Sequence, residues 1–199
     1  MKRFLVLTLA MLMSLGCVSC NSVVLMSHGA VDNNVYKSDF TGITFTAPDG
    51  WTYLSDEEIA QLANYSAEEL FDEEFADAVS EMKTFTDMMV TDPKTGTNVN
   101  ILYENLGLSG NTELSLEDYL NASVEQMKTQ MTGLSVELEG SENVTLSGES
   151  YLRAQLSTSF SGVNMSQYLY MRKIGNYMVV MTVTITTGHE LSDIEAMFS

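Results

Sequence analysis

The residues best suited to redox, nucleophilic or metal chemistry in this 199-residue chain are few: two cysteines and two histidines. Cys17 and Cys20 stand three positions apart in "MLMSLGCVSCNS", while His28 and His189 are isolated from them and from each other. A Cys-x-x-Cys redox pair opens a helix after a strand, and a zinc site needs further Cys or His ligands at short spacing. Neither condition is met. A serine or cysteine nucleophile needs a base beside it, but His28 falls in a small polar stretch and His189 in a turn. A Gly-x-Ser-x-Gly elbow, a phosphate-cradling glycine loop and a His-Glu-x-x-His helix are all missing. Asp92 with Asn98 and Asn100 lacks the spacing of a calcium loop and reads as a hairpin turn. Acidic pairs are so abundant that no single pair marks a glycosidase. The ten methionines from Met82 to Met197 fall on strands and helix stripes, where Met fills irregular cores. The chain is expected to need no cofactor and no metal, and to be no enzyme; a hydrolytic enzyme is the remote alternative.

The cysteines acquire another meaning from their neighbours. Lys2 and Arg3 precede an apolar run from Phe4 to Leu15, the pattern of a secretory signal and too short to span a bilayer alone. Extension through Val18 to Met26 reaches spanning length, though Gly16, Ser19, Asn21 and Ser22 weaken it as an uncleaved anchor. "SLGC" and "CVSC" each resemble a bacterial lipoprotein signal, in which small residues precede a cysteine that is acylated after cleavage. Cys17, with Gly16, Leu15 and Ser14 upstream, is the better match; Cys20, with Cys17 where Leu is usual, is the alternative. A plain cleaved secretory signal also fits. Two or three acyl chains, at ~0.8 kcal/mol per buried CH₂, would fix the protein to a bilayer. The organisation read here is a leader over residues 1–20, a short tether over 21–33 and one globular domain over 34–199.

Without Lys2 and Arg3 the 9 basic residues fall to 7 against 27 acidic ones, a net charge of −20 for the exported part. That charge repels nucleic acid and anionic lipid, so nucleic-acid binding is disfavoured. A constellation of the opposite sign lies near the C-terminus: Tyr151, Arg153, Tyr170 and Arg172. Taking "SGVN" as a turn pairs Phe160 with Met165, Leu156 with Leu169 and Ala154 with Met171, which sets Arg153 opposite Arg172. Two like charges across a ladder require an anion between them. That anion is either an internal carboxylate or a bound ligand, and the four residues are the candidate ligand-binding set.

These residues must be positioned by strands. "VYKSDF", the turn Thr41–Gly42 and "ITFTA" read as a hairpin, followed by the turn "PDGW" with Trp51 as a core residue. Thr84–Thr91 and Asn98–Glu104 read as two strands joined by "DPKTG". In the last third, Gly175–Asn176 as a turn pairs Arg172 with Val179, Tyr170 with Met181 and Tyr168 with Val183. Helices are announced by capping boxes at Ser55/Glu58, Ser66/Glu69, Ser115/Asp118 and Ser192/Glu195. The second box is followed by the stripe Leu70, Phe71, Phe75, Ala78, Val79 and Met82, the third by Leu116, Leu120, Val124, Met127 and Met131. One face of the late strands carries Leu152, Ala154, Leu156, Leu169, Met171, Met178 and Val180. The other carries Tyr151, Tyr168, Tyr170, Val179, Met181 and Val183. Both are apolar, so both need covering. The expected fold is α/β (α+β), an α/β/α sandwich whose mainly antiparallel sheet is covered on both faces by helices.

The opening "YKSDFTGITFTAPDGW", the helix "SLEDYLNASVEQM" and the closing "GESYLRAQLSTSFSGVNMSQYLYMRKIGNYMVVMTVT" resemble the PsbP-like superfamily, including its bacterial DcrB-type lipoproteins. The likeness runs over most of Val35 to Ser199 and rests on order and spacing. It implies the same α/β/α sandwich and non-enzymatic roles in assembly, envelope integrity and partner binding, and it transfers no catalytic residue or metal site. The expectation is a membrane-tethered, extracytoplasmic interaction or scaffolding lipoprotein of the bacterial cell envelope, anchored to the bilayer by its acylated cysteine and bound to an envelope protein. The alternative is a lipoprotein binding a small anionic molecule. Metabolic labelling with palmitate should mark the mature protein and disappear in Cys17→Ala or, failing that, in Cys20→Ala; labelling that survives both changes removes the lipid anchor.

Overall fold

The computed structural model describes residues 26–62, 83–107, 114–130, 133–160 and 162–199. The elements in chain order are β1 (Ala30–Asp32), β2 (Val35–Ser38), β3 (Ile43–Thr46), β4 (Thr52–Tyr53), α1 (Asp56–Leu62), β5 (Thr84–Thr91), β6 (Asn98–Asn105), α2 (Leu116–Gln130), β7 (Leu134–Leu146), β8 (Glu149–Phe160), β9 (Val163–Ile174), β10 (Tyr177–Ile185) and α3 (Leu191–Glu195). Seven strands form one sheet in the order β4-β5-β6-β10-β9-β8-β7, and β1-β2-β3 form a second, small one. Every pairing is antiparallel.

Alternation of apolar residues produces two cores, one on each face of the large sheet. On one face Val99, Ile101, Tyr103, Val179, Met181 and Val183 are buried with Tyr36, Ile43 and Phe45 of the small sheet and Ile59 of α1. On the other Leu152, Ala154, Leu156, Leu169, Met171 and Met178 are buried with Leu120 and Val124 of α2. The division of the late strands into two apolar faces is therefore as expected. Coverage by helices on both faces is not. Among the described residues a helix lies over one face, while the other is covered by β1–β3 with the short α1 and α3. The architecture is α+β. A three-stranded sheet can do a helix's work because Tyr36, Ile43 and Phe45 present a continuous apolar side at period two. The Ser66/Glu69 helix and its stripe lie outside the described residues, as do Met131, Cys17 and Cys20.

Local signals are met where they concern neighbouring residues. Ser115 Oγ accepts the Asp118 N–H at 3.0 Å, and Ser55 N–H donates to Glu58 at 2.8 Å. The last helix starts two residues before the expected box: the Glu190 N–H donates to Asp193 at 3.4 Å, which frees Glu195 for a distant partner. Beyond α3 the chain pairs with β3, with Ser199 and Thr44 exchanging backbone hydrogen bonds and Phe198 stacked edge-on against Phe45 at 4.7 Å. The hairpin β9–β10 has the expected register, Arg172 with Val179 and Tyr170 with Met181. In β8–β9 the expected register is displaced by two. Phe160 pairs with Val163 and Arg153 with Tyr170, because the chain reverses across a two-residue loop in which Gly162 takes φ +82°. A shift of two keeps every side chain on its face, so the core assignment survives while the facing arginines do not.

Two residues of the stretch read as a tether are packed into the fold. Met26 is buried, and Gly29 lies so close to Tyr36 that a Cβ on it would sit 2.3 Å from the ring. Gly29→Ala should cost about 1–3 kcal/mol through this overlap with a side chain that is itself fully buried. Gly140→Ala, which meets open space, should be close to neutral. Urea unfolding of both variants beside the wild type measures the difference.

Candidate functional site

Arg153 and Arg172 project from β8 and β9 on the face shared with the small sheet. They do not face each other. Arg153 Nη1 donates to Glu195 Oε1 at 2.6 Å and Nη2 donates to Glu142, while the Tyr170 hydroxyl donates to the same Glu195 oxygen at 2.6 Å. Arg172 is placed by Glu149 at 3.0 Å and by the Thr41 carbonyl at 3.3 Å, with its guanidinium 5.9 Å from the centroid of the Tyr151 ring. Burial first, and then the adjacent Glu195 carboxylate, push the Tyr170 hydroxyl well above the usual tyrosine range. The two positive charges are thus met by three carboxylates, and one of these comes from the terminal helix. A cavity of about 320 Å³ adjoins Arg153 between Glu139, Glu142 and Gln155, without a tyrosine in its wall.

The largest concentration of buried polar chemistry is elsewhere and centres on Asp87, of which only 1% is exposed. β5 and β6 slip register between Thr86 and Met88, so Asp87 is the extra residue of a β-bulge. Such a bulge re-aims a side chain; here it lets Asp87 and Met88 both turn inward. The Asp87 carboxyl accepts from the Tyr36 hydroxyl, from the Tyr103 hydroxyl at 2.6 Å and from the Gly29 backbone N–H at 3.1 Å. His28 Nδ1 lies 2.7 Å from Asp87 Oδ1, the oxygen that also accepts the Gly29 N–H, and His28 Nε2 lies 3.5 Å from Asp56 at the start of α1. Burial pushes Tyr36 and Tyr103 far above the ordinary tyrosine value, and the Asp87 charge adds to it. For His28 burial acts downward, but Asp87, assisted by Asp56, outweighs it and leaves the imidazole above its ordinary 6.5. One side chain thereby joins the chain's first described segment, β2, β5 and β6.

A second histidine–carboxylate contact holds the opposite end of the sheet. His189 Nε2 lies 2.9 Å from Asp92, which also accepts the Lys94 N–H at 2.9 Å and the Thr95 hydroxyl at 2.9 Å. These hydrogen bonds, that of His189 foremost, pull Asp92 down to about 2. Asp92 lies just beneath the surface, so its hydrogen bonds outweigh the small effect of desolvation. The Trp51 ring stands edge-on to His189 at 5.6 Å, which agrees with a core role for the tryptophan. "DPKTG" is the expected turn, closed by Gly96 N–H to the Asp92 carbonyl at 2.8 Å.

Sequence reasoning missed both histidine partners. His28 and Asp87 are 59 residues apart and His189 and Asp92 are 97 apart, so no local spacing joins them. The available signal for Asp87 was a lone acid inside an apolar strand, "TFTDMMV", where an unpaired buried charge is unaffordable. Among the described residues no three His, Cys, Asp or Glu side chains are grouped to hold a metal ion, and no helix is long and apolar enough to cross a membrane.

Replacing the carboxyl leaves buried tyrosine hydroxyls without their acceptor, so Asp87→Leu should lose about 3–5 kcal/mol. His28 contributes stability that is fully present below about pH 6.5 and is lost as pH rises through its raised folded value. Urea midpoints of the wild type should therefore fall across that window, and His28→Gln should remove this component of the slope.

No family model matches the chain, and no curated protein matches it. Solved structures do. The solution structure of cyanobacterial PsbP (CyanoP) from Synechocystis sp. PCC 6803 is similar at 13% identity and a TM-score of 0.47, over 91% of this chain and 96% of that one. A crystal structure from Bacteroides thetaiotaomicron VPI-5482 is similar at 11% identity and a TM-score of 0.41, over 87% of this chain and 48% of that one. A protein of unknown function from Pseudomonas aeruginosa, PA94, is similar at 13% identity and a TM-score of 0.33, over 45% of this chain and 59% of that one.

Proposed function

We propose that this chain is a PsbP-like lipoprotein of a bacterial envelope, held outside the cytoplasm by an acylated cysteine and acting by binding a protein partner, without turnover. The observation that carries the reading is that the first described residues are already tied to the fold. Met26 is buried, and His28 and Gly29 are locked to Asp87. Met26 lies only six positions after Cys20, or nine after Cys17 if that is the anchor. At ~3.3–3.6 Å per extended residue, the domain would sit within about 20–30 Å of the bilayer. So few positions between an anchoring cysteine and residues tied to Asp87 suit a module that meets partners at the membrane surface. The acidic exterior supports the same reading, because it keeps the body off anionic headgroups and open to cationic partners.

A small anionic ligand at Arg153 and Arg172 is the weaker reading, since Glu142, Glu195 and Glu149 already occupy both guanidinium groups. Short-range crosslinking in intact cells should give one reproducible protein adduct that is lost when the leader cysteines are replaced by alanine. Adducts that are unchanged by release from the membrane would separate partner binding from tethering, and a lack of any adduct would remove the partner.

A further inference from the structure

We propose that β7 is the docking edge of this domain, and that it takes an extended segment of a partner rich in lysine or arginine at alternate positions. The inference rests on the reading of the chain as a partner-binding module and supplies its surface. β7 is 13 residues long and ends the seven-stranded sheet; among the described residues no strand pairs with its outer side. Its companion edge, β4, has two residues. A long open edge offers a row of backbone donors and acceptors to which a further strand can add.

The chemistry beside that edge selects the occupant. A bulge between Leu138 and Gly140 makes Glu139 an extra residue and re-phases the strand. Glu137 therefore pairs with Ser157 and Glu142 with Arg153, so both acids share the side of the sheet that carries Ser157 and Arg153. On this side the sheet is open beyond Tyr170. A cavity of about 680 Å³, walled by Ser135, Glu137, Ser157 and His189 with Met165 and Ile185, is followed along β7 by the cavity of about 320 Å³ at Glu139 and the Glu142–Arg153 pair. Glu137 and Glu139 are exposed, and among the described residues neither has a cationic partner. A strand added to β7 would drop every second side chain toward this trough, where two free carboxylates and several hydroxyls accept hydrogen bonds. Long cationic side chains complement the free Glu137 and Glu139 carboxylates there. A second copy of the chain is disfavoured as the occupant, because antiparallel self-pairing centred on this stretch would crowd the Glu137, Glu139 and Glu142 carboxylates of the two copies together.

The test uses the full chain in detergent micelles and a nine-residue fluorescent peptide alternating Lys with Thr or Val, read by anisotropy at low salt. Binding is expected, and Glu137→Gln/Glu139→Gln should weaken it about tenfold while leaving the unfolding midpoint in place. N-methylation of alternate backbone nitrogens on one edge of the peptide should weaken it by about tenfold or more, and methylation on the other edge should not. No binding, or equal loss from both methylation patterns, overturns the proposal. So does a concentration-dependent dimer that excludes the peptide. None of these results bears on the cellular crosslink, so failure of the edge and failure of the partner reading are told apart.

Discussion

A carboxyl group buried in an apolar interior must find donors from whatever chain segments can reach it, and Asp87 finds them in three places. Tyr36 comes from the small sheet, Tyr103 from the neighbouring strand, and His28 with the Gly29 amide from the first described residues. Each of those donors would otherwise be a buried polar group with a desolvation cost of its own. The cluster therefore specifies geometry as well as contributing stability. The small sheet can seat on the large one in only one way if both tyrosine hydroxyls are to reach the same carboxyl. The bulge at Asp87 is the local distortion that makes this possible, since a regular strand could not turn Asp87 and Met88 inward together.

The remaining ion pairs serve the same end at the margins of the sheet. Glu195 draws the terminal helix to Arg153 and Tyr170, and the last three residues then pair with β3. Asp92 and His189 close the turn between β5 and β6 against the segment after β10. Arg153, Arg172, His28 and His189 are thus engaged within the fold, while Glu137 and Glu139 remain exposed. Among the described residues, what is left open is a sheet edge and the trough beside it.

Interactions within a few residues were legible in the sequence. The capping boxes at Ser55 and Ser115, the turns at "DPKTG" and Gly175–Asn176, and the two apolar faces of the late strands follow from spacing and side-chain chemistry alone. The registers show where that reasoning stops. In β9–β10 the turn residues Gly175 and Asn176 leave one tight solution, whereas "SGVN" admits turns that differ by two residues. Both place apolar residues on the same faces, so hydrophobic pattern cannot choose between them. The Arg153–Arg172 pairing rested on that choice, and the shift of two removes it.

The sequence by itself determined the alternation that makes a two-faced antiparallel sheet, the local caps and turns and the acidic balance, because each depends on composition or on residues close together in the chain. Only the tertiary structure decided that a three-stranded sheet covers one face, that Asp87 gathers His28, Tyr36 and Tyr103, that Glu195 answers Arg153, and that β7 is left as an edge. Those outcomes join residues tens of positions apart, and they are settled by which donors and apolar surfaces can be satisfied together in space.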